Sequence, residues 1–234
     1  MEIFKKLKAF TLAEVLITLG IIGIVAAMTI PTLLKNSQDA ELKSAFKKTF
    51  AVFSQLALSM ANDNGGTLNG VFSTATSDDI ISKITPYMKI VKTCSTGDLA
   101  NCWNASGNWQ YYDGSTPSNN VPAFYANNGG IVLSDGTMVF VSRISSGTCN
   151  SNAWLDYHLT GCGGAQNASD STYDSKICNG FLVDVNGRKG PNTVGRDIFS
   201  IFFTSDGKAI VPPAADCSAN RGHGRAAQIL SGEL

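Results

Sequence analysis

The sequence predicts an α+β fold in which one long N-terminal helix packs against a small antiparallel sheet. Three observations point to it. An uncharged apolar run extends from Val15 to Leu34, apolar residues then recur at helical spacing as far as Met60, and strand-like runs punctuated by turn dipeptides follow in the C-terminal half.

The first run, VLITLGIIGIVAAMTIPTLL, matches the about 20 residues that a helix needs to cross a hydrocarbon layer of about 30 Å. Lys5, Lys6 and Lys8 precede it, so the positive-inside rule keeps the N-terminus cytoplasmic. A secretory signal would show a shorter apolar core with the small-residue cleavage site behind it. Here the small residue, Ala9, stands in front of the run, and cleavage after it would leave the apolar segment on the mature chain. Pro31 removes a backbone donor and crowds the Ala27 carbonyl, which predicts a kink or local melting. Glu14 places a carboxylate near the start of a membrane helix. That is costly deep in lipid and favourable at headgroup level, beside the positive end of the helix dipole.

Helical periodicity resumes with Leu42, Phe46, Phe50, Phe53, Leu56, Ala57 and Met60, spaced by three or four, with Lys43, Lys47 and Lys48 mostly off that stripe. Asn62-Asp63-Asn64-Gly65-Gly66 is a strong stop. One helix from Thr11 to Asn62 results, and its Phe46/Phe50/Phe53 stripe reads as core.

Residues 63–128 are rich in Gly, Ser, Thr and Asn and predict an irregular connection with a short helix at Asp78–Met88. Trp103, Trp109, Tyr111 and Tyr112 cluster there, and packing over the helix is favoured over a binding role. Gly130–Ser134 and Thr137–Ser142 flank Asp135-Gly136, which suits a two-residue type I′ hairpin. A second pair, Ile198–Thr204 and Lys208–Val211, surrounds Ser205-Asp206-Gly207, and Gly180–Val185 reads as another strand. Four to five antiparallel strands are expected. The tail from His223 to Leu234 is expected to fray.

Six cysteines (Cys94, Cys102, Cys149, Cys162, Cys178 and Cys217) all lie beyond residue 90. This placement predicts disulfides in an oxidising compartment; six cysteines permit 15 pairings, Cys94–Cys102 and Cys149–Cys162 are the local candidates among them, and the connectivity stays open. No paired short spacing supports zinc. Asp184, Asn186, Asn192 and Asp197 could offer oxygens to Ca²⁺ from one Gly-rich loop, although an EF-hand is excluded by Arg188, Lys189 and Gly195. The alternative is that these side chains bond their own turns while Arg188 or Arg196 neutralises the carboxylates. Nucleophile-elbow, zinc-protease and phosphate-loop motifs are all missing and only two histidines occur, so no enzymatic activity is expected. Lys plus Arg and Asp plus Glu both number 18, so no basic field argues for nucleic acid.

Ala9-Phe10-Thr11-Leu12-Ala13-Glu14, followed by the long apolar run, resembles the leader and N-methylation motif of type IV prepilins and type II secretion pseudopilins. The resemblance implies cleavage between Ala9 and Phe10 by a prepilin peptidase and N-methylation of Phe10. Relatives mostly carry Gly where this chain has Ala9. The resemblance further implies that Glu14 pairs with the N-terminal amine of a neighbouring subunit and that Pro31 marks a segment able to bend during assembly. The chain then divides into a leader (1–9), a transmembrane and filament-core helix (10–34), its amphipathic continuation (35–62) and a periplasmic or extracellular globular domain (63–234).

On this resemblance the protein is a structural subunit of a type IV pilus or type II secretion-like pseudopilus, held in the bacterial inner membrane by a single span before assembly. Its partners would be membrane lipid, the prepilin peptidase, the inner-membrane assembly machinery and other pilin subunits. A minor or tip pilin that binds a surface, an exoprotein or DNA is the alternative.

Overall fold

A computed structural model describes residues 10–72, 76–103, 109–116, 128–141, 149, 177–212 and 221–234. The chain forms two compact units, Met1–Glu41 and Leu42–Leu234. Helix α1 runs from Leu12 to Asp63 and so contributes to both. The helix continues through Pro31, so the expected local melting does not occur. Proline removes one backbone bond, and the turns on either side keep theirs.

In the second unit, α1 is followed by α2 (Ser77–Ile84), whose N-cap Thr76 forms a capping box with Asp79. The predicted helix at Asp78–Met88 ends earlier than expected, in a tighter turn at Thr85–Tyr87. Six strands then form one antiparallel sheet in sequence order: β1 (Ile90–Cys94), β2 (Gly129–Leu133), β3 (Met138–Val141), β4 (Ile177–Asp184), β5 (Ile198–Thr204) and β6 (Ala209–Ile210). Helix α3 (Arg225–Ser231) closes the chain.

Both hairpins foreseen in the sequence form. The first has a three-residue loop instead of the expected type I′ turn: the Leu133 amide donates to the Thr137 carbonyl, and only Gly136 takes a positive φ. The Ser205–Gly207 loop repeats the pattern, with Thr204 donating to Lys208 and Gly207 at positive φ. Asp135 does not adopt the left-handed conformation that a type I′ turn needs at both central residues. Its carboxylate instead accepts from the Thr137 amide at 3.2 Å and the Lys48 ammonium at 2.8 Å.

Because side chains alternate across a strand, the sheet has two buried faces. Val139, Val141, Phe181, Val183, Phe199, Ile201 and Phe203 share a core with Leu42, Phe46, Phe53, Leu56 and Met60 of α1. Phe46 stacks on Phe199 with centroids 4.0 Å apart, and Phe53 meets Phe181 edge-on at 5.3 Å. The alternate residues Met138, Phe140, Leu182, Ile198 and Phe202 form a second core with Leu99, Trp103, Trp109 and Tyr111. The aromatic cluster therefore covers the sheet face opposite α1 and does not pack over the helix as expected. A strand set with bulky residues on both faces needs a second cover, and these aromatics supply it. Tyr112 alone of the four is exposed.

The C-terminal tail is ordered, contrary to expectation. Ala226 and Ile229 are fully buried in the main core, and burial of an apolar side chain of this kind offsets the tendency of a chain end to fray.

Candidate functional site

The site that the sequence singles out is the start of α1. Ala9 and the other residues of the expected leader, 1–9, lie outside the described residues; Phe10 is described and exposed. Thr11 stands at the N-cap of the helix. Its hydroxyl oxygen accepts from the Glu14 amide at 3.2 Å, while Glu14 Oε2 accepts from the Thr11 amide at 2.8 Å and from the Thr11 hydroxyl at 2.9 Å. This is a reciprocal capping box, in which two otherwise unpaired donors at the helix start are satisfied together. Thr11-x-x-Glu14 spells the motif in the sequence, where Glu14 otherwise reads as a charge beside an apolar run.

From Leu12 to Leu34 the large apolar side chains are exposed around the whole helix, including Leu16, Ile17, Ile22, Val25, Met28 and Leu33. This helix is long and apolar enough to cross a membrane by length and composition. Exposed apolar surface on this scale marks a site that another apolar medium covers. Pro31 sits in the same exposed stretch.

The second candidate lies between β4 and β5. Asp184 and Asp197 are fully buried, and the Val185 amide donates to the Asp197 carbonyl at 2.9 Å. Asp184 Oδ1 accepts from the Asn186 amide at 3.2 Å. Asp197 takes the Asn192 amide on one oxygen at 2.7 Å and the Thr193 amide on the other at 2.6 Å. Burial pushes the Asp197 carboxyl above its ordinary pKa, against the opposing effect of these amides. Asn186 donates from Nδ2 to the Gly190 carbonyl at 3.1 Å. Asn192 thus contributes a backbone N–H to the cluster, and the Arg188 guanidinium goes to the Ala100 carbonyl at 2.8 Å instead of to a carboxylate. Among the described residues no three His, Cys, Asp or Glu side chains gather into a metal-binding group. The arrangement ties a loop to itself through side chain to backbone bonds.

Among the described residues two disulfides form, Cys94–Cys102 and Cys149–Cys178. The first is one of the two local candidates. The second replaces the other local candidate, Cys149–Cys162: Cys149 bonds to Cys178 of β4, 29 residues away, a partner that sequence proximity cannot indicate. Cys162 and Cys217 lie outside the described residues.

A long apolar N-terminal helix, with its later turns packed on a six-stranded antiparallel sheet, is a pilin-like α+β arrangement. Comparison with protein families matches residues 4–30 to the prokaryotic N-terminal methylation motif. The chain carries this prepilin-type motif, consistent with a type IV pilin-like or pseudopilin protein. No curated protein and no solved structure matches the chain.

Proposed function

We propose that the protein is a structural subunit of a type IV pilus or type II secretion-like filament, assembled through α1 after its leader is removed. The observation that carries this is the N-terminal methylation motif, residues 4–30, running into and through an apolar helix segment exposed on all sides. Cleavage between Ala9 and Phe10 leaves the apolar segment at the very start of the mature chain. The subunit waits in the inner membrane as a single-span protein with the later residues on the periplasmic side, then exchanges lipid for the helices of its neighbours. Its work is assembly and not catalysis.

Intact-mass and N-terminal peptide analysis of the protein from its native membrane, with and without the prepilin peptidase, tests the proposal. A chain beginning at N-methylated Phe10 only when the peptidase is present supports it. An uncut chain beginning at Met1 in both cases returns the protein to an ordinary membrane-anchored role.

A further inference from the structure

Three distant stretches of chain meet beside β5. The Tyr112 amide donates to the Arg221 carbonyl at 2.9 Å, and Arg225 Nε donates to the Gly195 carbonyl at 3.0 Å. Gly195 and Gly222 both take positive φ and lie so close that a Cβ on Gly222 would collide with the Val194 carbonyl. Arg221 lies over the Tyr111 ring at 5.0 Å and Arg225 over the Tyr112 ring at 4.2 Å, contacts that hold cation to aromatic face.

His223 sits at the centre of this junction and is 2% exposed. Its ring meets Tyr111 edge-on at 5.8 Å, and Nδ1 lies 3.2 Å from the Ser200 hydroxyl of β5. Nε2 is buried and makes no hydrogen bond among the described residues. We propose that residues 221–234 form an acid-sensitive clasp, which comes off the globular unit when His223 gains a proton and so uncovers the core beneath Ala226 and Ile229.

The geometry supports the neutral ring and opposes the charged one. A neutral imidazole can leave one nitrogen as an unpaired acceptor at modest cost, whereas an imidazolium carries two N–H donors and a charge that burial penalises. The charged group acting on His223 is Arg221, of like sign. The helix that follows it, α3, adds Arg225, and β5 presents the Ser200 hydroxyl and no carboxylate. Tyr111 contributes a phenol, and Asp113 acts on Arg221 and Tyr111. Burial, followed by Arg221, lowers the His223 pKa from 6.5 to about 3.

The sign follows from proton linkage. The closed clasp binds fewer protons than the open one between these two values, so closure is fully stable above pH 6.5 and weakens as pH falls towards 3. Opening can be local because α3 itself is short and lightly anchored. α3 is 7 residues long, Gly224 at its N-cap gives no side-chain bond, and Ala226 and Ile229 are its buried residues. By contrast β5 is buried along its entire length, and such elements open last.

Hydrogen exchange on the full-length protein in detergent, from pH 7 to pH 4.5 and corrected for the intrinsic pH dependence of exchange, tests this. Below pH 6.5 the opening constant for amides of residues 225–231 should rise by up to about tenfold per pH unit, with residues 198–204 unchanged. His223→Gln should flatten the response. A flat response in the unsubstituted protein, or the two segments opening together, overturns the proposal; so does a His223→Gln protein that keeps the full response. If that variant does not fold, the comparison of the two segments in the unsubstituted protein decides alone.

Discussion

The two stretches of α1 belong to one helix and are built for different surroundings. From residue 12 to 34 the apolar side chains form a collar, exposed on every side. From residue 42 to 63 they form a stripe: Leu42, Phe46, Phe53, Leu56, Ala57 and Met60 are buried, while Lys47 and Lys48 are exposed. A stripe needs one apolar partner, and the sheet of the same chain provides it. A collar cannot be covered by one sheet face and calls for lipid or several helices. The width of the apolar surface therefore distinguishes the part of a helix that folds with its own chain from the part reserved for an outside partner.

Substitutions can break or sharpen that contrast. The largest effect is expected for Phe53→Ala, which empties a fully buried site between Phe181 and Phe203 and should cost about 3–5 kcal/mol in denaturant unfolding of the globular unit. A cost below about 1 kcal/mol would show that the stripe is not what holds the helix to the sheet.

Asp197→Ala asks how much of the same unit's stability comes from a loop and not the stripe. It strips the Asn192 and Thr193 amides of their acceptor and should cost roughly 2–4 kcal/mol by the same measurement. Millimolar Ca²⁺ should leave the unfolding midpoint of the unsubstituted protein unchanged, because both Asp197 oxygens are already engaged by backbone amides; an upward shift would assign the loop to calcium after all.

At the collar end, Thr11→Ala removes one half of the capping box and should lower helix stability by about 1 kcal/mol, with Thr11→Ser restoring it. Backbone exchange at residues 12–15 reads this directly, and equal exchange in both variants would deny Thr11 its capping role. The smallest effect on folding belongs to Ile22→Ala, an exposed collar position, which should change unfolding of the globular unit by less than about 0.5 kcal/mol. A large change there would mean that the collar has a partner within its own chain.

Much of this is legible in the order of the residues. The apolar run, the Phe46/Phe53 stripe, both hairpins and β4 announce themselves through periodicity and turn chemistry, which act over a few residues. β1 escaped notice because it is an edge strand with Val91, Lys92 and Thr93 exposed, leaving no alternation to read. α3 escaped because two buried residues, Ala226 and Ile229, make too faint a stripe. At the N-terminus the cap was spelled out in Thr11 and Glu14 and only required a different question of the same residues.

By itself the sequence determined the processing motif, the charge-free span, the helical stripe and the α+β class, since each rests on the order of neighbouring residues. Tertiary structure alone decided that Cys149 bonds Cys178, that Trp103, Trp109 and Tyr111 cover the second sheet face, and that His223 is buried against Ser200 beside Arg221. Those arrangements join residues far apart in the chain, and only the pairing of strands and the closing of two cores brings them within bonding distance.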